Sequence, residues 1–87
     1  MKIKAGFVMR DVAGQHVAIA TGEASKTFHG MVKLNETGAR IWEGIEKGFD
    51  EAAIAADLAA TYEINEEKAS ADVAKFIEQM SQQGLLE

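Results

Sequence analysis

The chain contains no cysteine and no proline. Without a thiol it can have no disulfide framework, thiolate metal site or iron–sulfur cluster, which suits a reducing compartment, so the expected location is cytoplasmic. Without proline, low-complexity sequence or an internal repeat, nothing reads as a linker, and residues 1–87 are expected to form a single domain. Positive charge is also scarce. Nine Lys and Arg stand against fourteen Asp and Glu, a net charge of −5. Nucleic-acid affinity is built mainly from cations neutralising phosphates, so no nucleic-acid partner is expected. Long apolar runs are missing too. The amino terminus is interrupted by Arg10 and Asp11 before a signal-peptide core can form, and nothing approaches spanning length, so no membrane association is expected.

The usual carriers of catalysis are equally thin. His16 and His29 are the only imidazoles, and neither sits in a His-Glu-x-x-His or His-x-Glu spacing, so no metal is expected and both read as solvent-facing strand residues. Ser25, Ser70 and Ser81 lack the Gly-x-Ser-x-Gly turn of a nucleophile elbow. The eight glycines never form a phosphate-cradling loop followed by Gly-Lys-Ser/Thr. These exclusions point to a small binding module with no catalysis and no cofactor of its own.

Residues 7–12 and 16–20 have strand propensity and flank Ala13, Gly14 and Gln15, a short connection that predicts an antiparallel hairpin. A polar, Gly-containing stretch over residues 21–26 returns the chain to a third strand expected over about 27–34. The two-residue period places Phe28, Val32 and Leu34 on one face and His29, Met31 and Lys33 on the other. Gly30, between them, reads as a bulge or turn residue, or as a place where a partner backbone comes close. In such a meander the first and third strands lie at the edges, and an edge strand offers unpaired backbone groups to an extended peptide.

At Asn35 the period becomes helical. Asn35 is a helix cap, and Ala39, Ile41, Trp42 and Ile45 form an apolar stripe over about residues 36–47 before Gly48. Asp50 caps a second helix over 51–62 with Ile54, Leu58 and Tyr62 at four-residue steps. Asn65 caps a third, whose stripe is Ala69, Val73, Phe76, Ile77 and Met80, ending before Gly84, after which Leu85 and Leu86 are expected to fold back on the core. Most of that stripe reads as core. Its breadth leaves the side of Val73 and Phe76 able to face a groove beside the third strand, with Lys68, Asp72, Lys75 and Gln79 along the rim.

Three strands joined to three helices predict an α+β, winged-helix-like domain. The alternative function is therefore a winged-helix DNA-binding or transcription-associated protein. A third reading is a plain stabilising subunit of an enzyme with no groove of its own. Against the first alternative, residues 66–83 carry four carboxylates and two lysines, and phosphates would repel such a reading helix.

The run from Met31 through Asn35 to Trp42, the spacing of Ile54, Leu58 and Tyr62, and the closing segment from Phe76 to Leu86 resemble the PqqD family over nearly the whole chain. That resemblance implies a peptide-binding chaperone. It would recognise the leader of a ribosomally synthesised precursor peptide and present it to a modifying enzyme, commonly a radical S-adenosylmethionine enzyme. It also implies that the leader adds as a strand beside the third strand and packs against the third helix. Those positions match Thr27, Phe28, His29, Gly30, Met31, Val32, Lys33 and Leu34, together with Asp72, Val73, Lys75, Phe76 and Gln79. Residues 22–30 are longer and more polar than in members of the PQQ pathway, which extends the expectation to other peptide products.

Overall fold

The computed structural model describes every residue except 27 and 29. Three strands, β1 (Phe7–Val12), β2 (Gln15–Ala20) and β3 (Met31–Leu34), precede three helices, α1 (Glu36–Glu46), α2 (Glu51–Tyr62) and α3 (Glu66–Gln82). The sheet is antiparallel in the order β1-β2-β3, with Phe7 opposite Ala20 and His16 opposite Leu34. This is the expected α+β architecture of three strands followed by three helices.

The hairpin is tighter than anticipated. Gln15 already belongs to β2, leaving Ala13 and Gly14 as a two-residue turn with φ of 52° and 80°. Two successive positive φ values are the signature of a type I′ turn, whose twist matches that of the flanking strands. Alanine accepts this conformation only at a cost of about 1–2 kcal/mol, because its Cβ crowds the following carbonyl.

The third strand is also shorter than expected. Residues 22–26 form a single 3₁₀ turn, and regular pairing starts only at Met31. Gly30 lies at φ 94° with open space where a Cβ would stand, so it is a turn residue that redirects the chain into β3. The expected strand positions Thr27 and His29 lie outside the described residues.

All three helix caps are where the local chemistry requires them. Asn35 Oδ1 accepts from the Gly38 N–H at 2.7 Å, Asp50 Oδ1 from the Ala53 N–H at 2.8 Å, and Asn65 Oδ1 from the Lys68 N–H at 2.7 Å. Each satisfies an otherwise unpaired N–H of the first turn. Gly48 and Gly84, at φ 85° and 78°, follow the ends of α1 and α3.

One face of the sheet, carrying Phe7, Ala18 and Leu34, closes onto the helices around Trp42, Ile41, Ile54, Leu58 and Val73, all at most 8% exposed. Phe28 is half-buried and meets Phe7 edge-to-face at 5.2 Å, anchoring the segment before β3. Leu85 is fully buried, as expected, and the chain ends pair through an Ile3–Leu86 bridge. Arg40 of α1 donates two hydrogen bonds to Asp57 of α2, at 2.7 and 2.9 Å. These bonds, followed by the guanidinium charge, hold the Asp57 carboxyl below the ordinary carboxylate range despite some desolvation.

His16 departs from expectation. By register it shares the helix-facing side of the sheet with Ala18 and Leu34, and it is half-buried, with Nδ1 2.6 Å from Asp11 Oδ1 but not in hydrogen-bond alignment.

Candidate peptide-binding groove

β3 is an edge strand. No described strand pairs with its outer side, so alternate N–H and C=O groups of Met31–Leu34 face away from β2. β1 is the other edge. Beside β3, however, the surface falls into a groove of about 700 Å³ whose far wall is α3. The short β3–α1 junction produces this shape, because Asn35 starts α1 directly at the strand end and leaves α3 to approach from the other side.

Val32, Lys33 and Leu34 form the strand-side wall, Ile41, Phe76 and Met80 the base beside Asn35, Thr37 and Gly38, and Asp72, Lys75, Gln79, Gln82 and Gln83 the helix-side wall. Its base is apolar and closely packed. Ile41, Phe76 and Met80 are at most 8% exposed, and a Cβ built on Gly38 would lie 3.1 Å from Phe76 Cε2. Glycine at position 38 is therefore what lets the Phe76 ring come close to the first turn of α1. The rim is polar: Asp72 reaches Lys68 at 3.5 Å, whereas Lys75 has no ion-pair partner among the described residues.

The structure thus brings together Val32, Lys33, Leu34, Asp72, Lys75, Phe76 and Gln79 of the residues expected at the site. It separates others. Val73, at 1% exposure, belongs to the core and not to the groove wall. Phe28 packs on Phe7, Gly30 is an exposed turn, and Met31 points to the opposite face of the sheet from Val32. Thr27 and His29 lie outside the described residues. Sequence reasoning missed Asn35, Thr37, Gly38 and Ile41, which reach the groove only because α1 passes beneath it, and Met80, which it read as core. It also missed Gln82 and Gln83, which continue the three- and four-residue spacing of Asp72, Lys75 and Gln79 and were open to detection on that ground. Among the described residues no cluster of three or more His, Cys, Asp or Glu could hold a metal ion.

The family model described as coenzyme PQQ synthesis protein D (PqqD) matches residues 8–86. The chain belongs to the PqqD family. The match begins in β1 and ends at Leu86, so it includes both walls of the groove. Two solved structures share this PqqD-family fold. The first, TbiB1 in complex with the TbiA(β) leader peptide, superposes with a TM-score of 0.81 at 23% identity, covering all of this chain and 95% of the other. The second, lasso peptide synthetase B1 complexed with the leader peptide, gives a TM-score of 0.79 at 19% identity, covering 97% and 93%. At such identities the likeness is one of fold. No curated protein sequence matches this PqqD-family chain.

Proposed function

We propose that the chain recognises the leader of a ribosomally synthesised precursor peptide, taking it as a fourth strand on the outer edge of β3, and delivers it to a modifying enzyme. The observation that carries this reading is the conjunction of an unpaired strand edge with an apolar-floored groove between β3 and α3. Membership of the PqqD family and a fold shared with two proteins solved with leader peptides support it.

Backbone pairing along Met31–Leu34 supplies affinity that tolerates many guest sequences. Selectivity comes from side chains. In an added strand alternate residues point to alternate faces, so every second guest residue enters the groove over Phe76, Ile41 and Met80. That floor takes apolar side chains, while Lys75, Asp72 and the glutamines meet the polar or charged neighbours of the guest. Phe28 and Gly30 act by placing the edge that starts at Met31. Ordering a flexible leader costs about 2–5 kcal/mol, which favours micromolar to submicromolar binding and ready release. The covalent chemistry belongs to the enzyme served, which this reading takes to be a radical S-adenosylmethionine enzyme.

The acidic α3 and the net charge of −5 weigh against duplex DNA as the occupant. The deciding experiment is calorimetric titration with synthetic leaders of candidate precursor peptides, paired with retention on duplex DNA at moderate salt. Micromolar or tighter leader binding without DNA retention is expected. Absence of leader binding at 100-fold higher concentration, on the order of 0.1 mM, overturns the reading.

A further inference from the structure

The sheet has a second face, and the helices do not cover it. By register, Val8, Arg10 and Val12 of β1 share it with Gln15, Val17 and Ile19 of β2 and with Met31 and Lys33 of β3. Val8, Val17 and Ile19 stand outside the hydrophobic cluster that packs sheet against helices. Val12 and Met31 are 48% and 53% exposed. Val17 nonetheless is 2% exposed, and its cross-strand partners on either side are Arg10 and Lys33. Both flanking residues are exposed, with Arg10 Nη1 donating to the Met9 carbonyl at 3.2 Å, so two cations border a buried valine. The result is an apolar sheet face crossed by a row of two cations, with no carboxylate at any of its register positions, on a chain whose net charge is −5.

We infer that this outer sheet face docks the modifying enzyme, through an apolar surface patch of that enzyme bordered by Asp or Glu. The inference rests on the leader-recognition reading for the identity of the partner, and on charge for its chemistry. A second copy of the chain would set Arg10 and Lys33 against their own counterparts, and like charges facing across an interface oppose association. An acid-bordered surface reverses that sign and desolvates the surrounding valines, isoleucine and methionine. The geometry adds a further reason. A leader strand added beside β3 extends both faces of the sheet, so guest residues that do not enter the groove emerge next to Met31 and Lys33. An enzyme seated on the outer face would touch its carrier and the outward side of the leader together, while the groove holds the inward side.

The test uses the whole chain, a purified radical S-adenosylmethionine peptide-modifying enzyme and a synthetic leader of that enzyme's precursor peptide. Enzyme binding without leader and leader binding without enzyme are measured separately for wild type, for Arg10→Glu/Val12→Glu and for Arg10→Lys. The double variant should lose at least tenfold in enzyme affinity with the leader Kd within twofold of wild type, because both positions lie on β1, two strands from the groove. Arg10→Lys should retain enzyme binding, and wild-type enzyme affinity should fall between 50 and 300 mM NaCl more steeply than leader affinity. Wild-type enzyme affinity in the double variant, no enzyme binding by wild type, or loss in the double variant of a wild-type self-association would each overturn the inference. Failure of the leader to bind would instead count against the proposed function.

Discussion

Gly38→Ala separates the groove from the fold, because its stability terms largely offset one another while its effect on the groove does not. A Cβ at position 38 would lie 3.1 Å from Phe76 Cε2 and 3.1 Å from Asn35 Oδ1. Carbon atoms in optimal contact sit about 3.5–4.0 Å apart, so the ring must retreat by about half an ångström. Its backbone side is packed into the core, and the groove is the free direction. For stability, replacing a helical glycine by alanine gains about 1 kcal/mol. Pushing the ring off its rotamer costs about 0.5–1.5 kcal/mol, and crowding the Asn35 cap costs up to about 1 kcal/mol. The net change runs from about 0.5 kcal/mol of stabilisation to about 1.5 kcal/mol of destabilisation, a Tm shift between about 4 °C upward and about 12 °C downward. For binding, a displaced ring fills part of the pocket meant for an inward guest side chain. Loss of one such contact, about 1 kcal/mol, weakens leader affinity about fivefold. The control is Gly44→Ala, whose Cβ would lie 2.9 Å from Ile54 Cγ1 in the core, away from the groove. Overpacking there costs about 1–3 kcal/mol. Leader anisotropy and thermal melts on both variants decide the matter. Unchanged leader affinity in Gly38→Ala, or an equal loss in folded Gly44→Ala, refutes the assignment of Phe76 to the groove floor.

Phe76→Asp should act chiefly on folding, since Phe76 is 8% exposed and lies within the core cluster, and chemical denaturation should show a large loss of stability, whereas a charge change at exposed Glu46 should alter neither stability nor leader binding. Ala13→Asn should raise stability by about 0.5–1 kcal/mol, read as a higher urea midpoint at constant m, because asparagine tolerates the positive φ of the turn better than alanine. Asp57 has a folded-state pKa below its unfolded value, so its contribution is present above an unfolded pKa of about 3.9 and is lost as pH falls through the folded value. Denaturation between pH 5 and pH 2 should therefore show a shallower fall in stability for Asp57→Asn than for wild type.

Local chemistry determined much of this molecule by itself. Asn35, Asp50 and Asn65 cap their helices through bonds to N–H groups three residues on, and Gly48 and Gly84 follow helix ends, so both kinds of signal are contained within one turn of chain. The order of elements and the edge position of β3 followed from the same short-range patterns. The start of β3 did not. Residues 22–26 wind into a 3₁₀ turn and Gly30 bends, choices that depend on docking Phe28 against Phe7, fifteen or more residues away. The groove is likewise a product of packing. Val73 and Phe76 sit on one apolar stripe of α3, and only the approach of α3 to α1 decides that the first is sealed in the core while the second floors a cleft. Gly38 and Ile41 enter that cleft for the same reason, since a helical period states which residues share a face but not which neighbour that face will meet. What an isolated sequence specifies is the period and the punctuation of its elements. Which surfaces remain uncovered is decided by the angles at which those elements close on one another.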